Sequence, residues 1–406
     1  MMYEPLSKLY YKDMEKYRTE YEKRIHSYGT VKLPFHIKAF NYAVESPAFY
    51  VNHHALDLLH DQITKQSRLI QTMINSLPDI AIEQYIKAKL VDELLSTNEI
   101  EGVHSTKAEM EIVLEIIVKK DTSKKKIRHL SLMNTYFNLF SENVTSIESI
   151  EQIREKYDLL VSEEVKKEDT LDGQIFRKEA VDVVTSTGKV VHRGLYPEPV
   201  IQTHLEKLIE YLNHDNSPML YKIAIAHYYF GYIHPFYDGN GRTSRYISSM
   251  YLIKELDKLT ALTLSYSTNK SKQLYYDAFN LCNDPKNKGE LTHFCEAFFQ
   301  IVHNAQNDII QDLSQKKEKM DLLIHLINEL EDLNELERKI LFIIGQHYIF
   351  GIEDTGLSKR ELEKVLNVSE YAIRNVLKNF ETKKLIKYTK LKPIEVTLSD
   401  ALGDRM

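Results

Sequence analysis

The chain has 406 residues, among them 13 Gly, 2 Cys and no Trp, and its formal net charge is -6. Ordinary usage would place about 28 glycines in a chain this long, so the shortfall argues against glycine-rich β-sandwiches, collagen-like repeats and low-complexity linkers, and favours long helices. The acidic balance excludes a global basic field that would draw the chain to nucleic acid or an anionic membrane.

At roughly 150 residues per domain, two or three domains are expected. Met1-Met2-Tyr3-Glu4-Pro5 has no cationic start followed by an apolar run, and stretches such as Ile340–Ile344 are too short to span a bilayer. A cytoplasmic chain with no membrane partner is expected, with Cys282 and Cys295 as buried free thiols. Residues 1–75 mix aromatic and charged positions and include one extended-looking patch, Thr30-Val31-Lys32-Leu33-Pro34. From Asp79 to Lys120 the period turns helical. Ile82, Tyr85, Ile86, Leu90, Leu94 and Leu95 recur at three- and four-residue spacing, which predicts one buried helix face. A polar break at Asp121–Lys126 predicts a seam, giving a first region over 1–120.

The second region, 121–330, reads as helices except for Phe176–Pro199. There Val181, Val183 and Val184, then Thr185-Ser186-Thr187-Gly188, then Val190 and Val191 predict a β-hairpin. A lone hairpin must pack on helices, and it suits a flap over a site as well as plain structure. The third region is 331–406. Glu337–Ile344 is predicted helical, Leu357-Ser358 starts a second helix, and Asn367-Val368-Ser369 turns into a third over Glu370–Phe380, capped by Ser369. Extended runs Ile386–Tyr388 and Ile394–Leu398 flank Lys392-Pro393 and complete a winged helix-turn-helix pattern. The predicted fold class is mainly α, with a middle hairpin and a C-terminal winged helix.

The chemistry concentrates in His234-Pro235-Phe236-Tyr237-Asp238-Gly239-Asn240-Gly241-Arg242-Thr243-Ser244-Arg245, between helical stretches Ile223–Ile233 and Tyr246–Leu256. Gly239 and Gly241 carry no Cβ, so the backbone can turn and aim N–H groups at an anion, where a helix start already favours phosphate. Arg242 and Arg245, one turn apart, add charge-assisted donors on one face. Asp238 suits a hard Mg²⁺ ion that keeps phosphate oxygens as ligands. His234, at the other end of the loop, can take a proton from an attacking hydroxyl. Phe236 is expected to enter the core and pin the loop. His53-His54, His227 and His303 show no metal spacing and read as structural.

This segment resembles the Fic domain family, whose signature HxFx(D/E)GNGRxxR it matches at every specified position. The resemblance spans about residues 90–300 and implies a Fic-type helical core with the hairpin as its flap. It implies AMP transfer from ATP to Ser, Thr or Tyr hydroxyls. His234 would be the base, Asp238 the ligand of Mg²⁺ or Mn²⁺, and Gly239, Asn240, Gly241, Arg242, Thr243, Ser244 and Arg245 the nucleotide-binding segment. Related death-on-curing kinases carry Lys near the place of Gly241, so Gly here favours adenylyl transfer. Upstream, Thr97-Asn98-Glu99-Ile100-Glu101-Gly102 resembles the family's inhibitory motif, (S/T)xxxE(G/N). Glu101 would form a bidentate pair with Arg245 and take the place of the ATP γ-phosphate, while Gly102 ends the helix. In some relatives the same glutamate supports AMP removal. The flap implies nucleotide contacts at Lys189, Val190, Val191 and His192, and adenine contacts fall at Tyr275, Tyr276 and Asn283.

The expected function is a protein adenylyltransferase that modifies an unidentified target protein and itself, restrained by Glu101. Two alternatives stay open: a DNA-binding regulator with a nucleotide-sensing Fic core, and a Fic enzyme using another nucleotide donor. Tyr371, Arg374, Asn375 and Lys378 share one face of the last predicted helix, and Lys383, Lys384, Lys387, Lys390 and Lys392 follow it. Residues 335–400 are therefore a candidate DNA surface. Glu361, Glu363, Glu370 and Glu381 dilute it, which leaves protein docking and homodimer formation open as well.

Overall fold

The computed structural model describes residues 3–120, 127–141, 144–161, 164–184 and 187–406. The predicted break at Asp121–Lys126 and the hairpin-turn residues Thr185 and Ser186 lie outside the described residues. The chain divides into two compact units, Met1–Arg68 with Asp92–Gln306, and Leu69–Val91 with Asn307–Met406.

The chain begins with α1 (Leu6–Lys12) and α2 (Met14–Ile25), followed by β1 (Thr30–Lys38) and β2 (Glu45–Val51). β1 and β2 pair antiparallel, from Thr30 opposite Val51 to Lys38 opposite Glu45. The extended patch in the sequence was the first half of this hairpin. β1 runs on past the patch with Leu33, Phe35 and Ile37 buried in alternation, whereas β2 was hidden because Ala48, Phe49, Tyr50 and Val51 are all buried and do not alternate. Phe49 covers its own edge by bonding Gly289 and Leu291, at 3.1 and 2.7 Å.

Next come α3 (His54–Asn75), α4 (Asp79–Ile100), α5 (Lys107–Val118), α6 (Leu130–Ser141) and α7 (Ile150–Val161). On α4, Tyr85, Leu90 and Leu94 are buried as the period predicts, Ile82, Ile86 and Leu95 are only half-buried, and Glu93, Ser96, Thr97 and Asn98 are buried as well. A single apolar face therefore describes only part of this helix. Buried polar groups persist where partners meet them. The Glu93 carboxylate accepts the N–H groups of Ser265 at 2.8 Å and Tyr266 at 3.1 Å.

The middle hairpin forms where expected, with β3 (Asp182–Val184) antiparallel to β4 (Val190–Arg193) and Val183 opposite His192. α8 (Glu198–His214), α9 (Met219–Ile233) and α10 (Asn240–Glu255) follow. α9 is buried continuously from Leu220 to Phe230, as an all-round apolar helix must be. α10 is polar in composition and still buried, because its hydroxyls find partners. Thr243 Oγ1 donates to Gly239 O at 2.9 Å, and Ser248 Oγ lies 2.8 Å from His227 Nδ1. α11 (Lys258–Leu262), α12 (Leu264–Lys270), α13 (Lys272–Asn283) and α14 (Thr292–Glu329) come next. Cys282 and Cys295 are buried free thiols.

The C-terminal stretch holds α15 (Glu335–Phe350), β5 (Leu357–Ser358), α16 (Lys359–Leu366), α17 (Glu370–Thr382), β6 (Ile386–Leu391), β7 (Ile394–Leu398) and α18 (Asp400–Gly403). The helix, helix, turn, helix and hairpin order matches the sequence pattern, with Ser358 and Ser369 as N-caps. A three-stranded sheet in the order β5-β7-β6 adds a strand that the pattern did not show. Among the described residues no helix is long and apolar enough to cross a membrane.

Candidate active site

α9 ends at His234, which adopts a left-handed backbone with φ 52° and ψ 62°, and α10 begins after Gly239. Between them Phe236 is fully buried and stacks on Tyr157 with ring centroids 3.7 Å apart, so the loop is pinned as the sequence implied. Asn240 closes the loop. Its Oδ1 accepts the Phe236 N–H at 2.9 Å and its Nδ2 donates to Phe236 O at 2.7 Å, which commits the whole side-chain amide to the loop.

His234 Nδ1 faces Gly231 O at 3.3 Å. The tautomer that satisfies this contact carries its proton on Nδ1, and Nε2 keeps a lone pair. Burial pushes the imidazole down to about 3, with nearby His192 and Arg177 acting in the same direction. The ring is therefore neutral at physiological pH.

At the other end of the loop no side chain caps α10, so its first-turn N–H groups and dipole are left for an anion. Arg242 and Arg245 flank that end, each 1% exposed. Arg242 pairs with Glu164 and, at 3.4 Å, with Asp238 Oδ2, while its buried Nε has no hydrogen-bond partner among the described residues. Glu164 also lies 2.6 Å from His129 Nδ1. Arg245 Nη2 donates to Glu101 Oε1 at 2.8 Å, and its Nε and Nη2 reach Thr97 Oγ1 at 3.1 and 2.9 Å. The expected bidentate Glu101–Arg245 pair is thus a single bond, because Thr97 occupies the adjoining edge of the guanidinium. Burial lowers Arg245, but the Glu101 carboxylate more than compensates and holds it above its ordinary value. A Cβ at Gly241 would fall 2.2 Å from Glu101 Oε1, so only glycine lets the carboxylate lie there. Gly102, at φ 71°, ends α4 as predicted, and Val103 N–H closes on Asn98 O at 2.9 Å.

Asp238 Oδ1 accepts the Gly239 N–H at 2.7 Å, and the side chain is 43% exposed. Among the described residues no group of three or more His, Cys, Asp or Glu is placed to hold a metal by itself. One open carboxylate beside a phosphate-type turn fits a hard six-coordinate ion that brings phosphate and water ligands with it. His192 is buried with Nε2 2.6 Å from Tyr232 O, Val190 and Val191 are half-buried in β4, and Lys189 is exposed just before it. Ser244 turns its hydroxyl to His227 Nδ1 at 3.1 Å. The Tyr275 hydroxyl is spent on His227 Nε2 at 2.8 Å, Tyr276 is exposed, and Asn283 Oδ1 accepts from Tyr228 at 2.7 Å. Burial drives His227 down to about 3, so it is a neutral core histidine.

Sequence reasoning missed Arg177, Glu164 and Glu93. Arg177 is fully buried and donates to His234 O, yet in the sequence it is one cation beside the exposed Lys178. Glu164 sits far in sequence from Arg242, with no period linking them. Glu93 stands on the predicted helix, but a period search counts apolar positions only.

The loop, the uncapped helix and the hairpin lie in one recognisable stretch. Residues 147–252 match the Fic/DOC family. The Fic stretch contains His234, Asp238 and Gly239–Arg245, while Glu101 lies outside it. The protein adenylyltransferase Fic of Drosophila virilis is 26% identical over 175 residues, 42% of this chain and 33% of its own length. The chain thus matches about a third of that curated relative. The crystal structure of a Fic family protein from Desulfovibrio desulfuricans superposes with TM-score 0.51 at 19% identity, over 86% of this chain and 98% of that one. This likeness shows a shared Fic fold. A Fic domain containing signaling protein from Bacteroides thetaiotaomicron gives TM-score 0.43 at 14% identity, over 64% of this chain and 97% of that one.

Proposed function

We propose that this chain is a protein adenylyltransferase whose site is closed by its own Glu101. The observation that carries the reading is one loop with two chemically different ends. His234 Nε2 is left as a proton acceptor at one end, and an uncapped helix with two buried arginines stands at the other. ATP phosphates would lie on the α10 N-terminus and meet Arg242 and Arg245. A target hydroxyl would give its proton to His234 Nε2 as its oxygen bonds the α-phosphorus. The bond from that phosphorus to the α–β bridging oxygen breaks, and pyrophosphate leaves. Polyphosphate nearby stabilises the imidazolium that forms, which offsets the low basicity of the buried ring. Asp238 would hold Mg²⁺ or Mn²⁺, which when bound neutralises phosphate charge.

Glu101 would act by competing with a phosphate for Arg245. The support is the 2.8 Å ion pair over Gly241. Within the same reading the three functional regions are 1–120, 121–330 and a winged-helix module over 331–406. Lys387 pairs with Asp400, Lys390 with Glu395, Arg374 and Lys359 with Glu370, and Lys383 with Asp332. Carboxylates interspersed with these cations lower the local positive charge, which supports protein docking over DNA binding for the module.

The test is self-labelling of the full chain with α-labelled ATP. Glu101→Gly raises the label and His234→Ala abolishes it. If both variants label like the parent, the mechanism is wrong.

A further inference from the structure

Arg177 is a cation sealed in the protein whose side-chain hydrogen bonds, among the described residues, all end on peptide carbonyls. Nε and Nη2 both donate to His234 O, at 2.9 and 2.7 Å. Nη2 also reaches Leu195 O at 2.8 Å and Ile233 O at 3.4 Å, and Nη1 bonds Glu179 O. Burial lowers the guanidinium to about 10, so it stays charged at physiological pH.

These acceptors explain its placement. His234 turns left-handed and stops α9, so the last helical carbonyls have no partner further along the helix; Ile233 O takes the Leu195 N–H at 3.0 Å and His234 O is left to Arg177. A cation at that terminus also meets the negative end of the helix dipole. The planar fork of arginine can serve carbonyls from several stretches at once, which a lysine ammonium on a flexible stem cannot. Arg177 is itself held in register. The Glu198 carboxylate accepts the N–H groups of Gln174, Ile175 and Phe176 at 2.9, 2.6 and 2.8 Å, and Arg154 Nη1 holds Ile175 O at 2.7 Å.

We infer that Arg177 is the positioning residue of this site: it locks the His234 peptide to Leu195, at the exit of the hairpin, and so fixes where the imidazole stands relative to the α10 N-terminus. The inference rests on the reading of His234 as the proton acceptor. It separates two things that a general fold defect would join, the placement of the base and the binding of the nucleotide. The phosphate-facing groups, Arg242, Arg245 and the first turn of α10, make none of the Arg177 contacts.

The test uses the full chain carrying Glu101→Gly, with Arg177→Gln and the milder Arg177→Lys added separately. Self-labelling kcat falls at least tenfold in both, while KM for ATP changes less than about twofold, and Lys does not rescue. In parallel, ¹⁵N-histidine spectra identify the His234 ring by its loss in His234→Ala. Its Nδ1–H signal is neutral and unchanging from pH 5 to 8 in the parent, and in the Arg177 variants it becomes a tautomer mixture that titrates in that range. Unchanged ring signals overturn the inference even where no transfer is measured. So does a rise in KM as large as the fall in kcat. If Arg177→Gln does not fold, Arg177→Lys is read by the same two criteria. A His234→Ala chain that still labels would defeat the proton-acceptor reading instead, a result distinct from a failure of Arg177.

Discussion

Replacing Glu101 by Gln keeps the side chain's shape and removes its charge, which isolates the ion pair from the helix end. The pair is one charge-assisted bond of 2.8 Å between a guanidinium with 1% of its surface exposed and a carboxylate with 21%. Such bonds contribute about 1.5–3 kcal/mol. Arg245 keeps Thr97 O and Oγ1 as acceptors, at 3.2 and 2.9 Å, so it is not left bare and the loss in the unliganded protein falls near the lower figure. At about 2–4 °C per kcal/mol, the unliganded melting temperature drops by a few degrees. On the proposed reading the same carboxylate opposes a phosphate at Arg245, so removing its charge returns up to the same free energy to the nucleotide. Affinity for a non-hydrolysable ATP analogue then rises up to about tenfold. Calorimetric titration with thermal shifts at several analogue concentrations reads both quantities. The signature is a pair of opposite signs, a weaker free protein and a tighter complex. A variant that loses stability without gaining affinity refutes the competition and leaves Glu101 as a structural partner of Arg245.

Three further outcomes follow from particular contacts. Gly102 sits at φ 71° with open space where a Cβ would go, so Gly102→Ala adds backbone strain alone, about 1–2 kcal/mol by urea denaturation; no loss would mean the C-cap relaxes freely. Burial raises Glu93 to about 7, against an ordinary 4.5. The folded state therefore binds the extra proton, and stability is lost as pH climbs from 4.5 through 7, by roughly 3 kcal/mol in all. Glu93→Gln removes that slope, so the difference between variant and parent changes across this range and is flat above it. Buried His227 and His234 act oppositely in both proteins and cancel, and a difference independent of pH would refute the assignment. Tyr275→Phe leaves His227 Nε2 unpaired and costs about 1–2 kcal/mol of stability with little effect on nucleotide affinity. Tyr276→Ala, at an exposed position, does the reverse if an adenine lies there; equal effects in the two assays would reject this division.

Much of the site was legible because its chemistry is local in sequence. His234, Asp238 and the arginines lie within twelve consecutive positions, and a turn between two helices brings the two ends of that stretch into one loop. The Ser caps of α16 and α17 were legible for the same reason, since a cap and its first turn are neighbours. What stayed hidden was non-local, polar or continuously buried. In the β1–β2 hairpin, β2 is buried continuously from Ala48 to Val51 and so lacks the alternation a strand search needs. Glu93 and Thr97 are buried by partners about 150 residues or more away, Ser265 and Arg245, and burial by polar pairing leaves no apolar period to detect. Gln273–Asp277 shows the same limit from the other side: two polar residues of α13 bond each other at the surface at 2.8 Å, and nothing in the sequence separates that pair from a functional one.

The net charge of -6 gave no hint that the loop is surrounded by buried cations, two of which stand against carboxylates, Arg242 on Glu164 and Arg245 on Glu101. Arg177, Arg242 and Arg245 are each 1% exposed or less, and a buried guanidinium costs several kcal/mol unless its donors are met. The three are met in different ways, and that decides which can answer to an anion. Arg177 is held by peptide carbonyls of the loop itself, which an anion has no means of replacing. Arg242 is held by Glu164, which is tied in turn to the buried His129. Arg245 is held by Thr97 of α4 and by Glu101, the residue just past the end of that helix, the latter through one bond beside Gly102. Releasing Glu101 therefore disturbs one bond and a helix end, whereas releasing Glu164 breaks a second buried pair as well. If a nucleotide displaces one carboxylate on entry, the structure makes Glu101 the cheaper to move. Affinity should then respond more strongly to Glu101→Gln than to Glu164→Gln, and Glu164→Gln should cost more stability in the free protein. Titration and thermal melting of the two variants side by side would check this, and the opposite ranking would place the control at Arg242 instead.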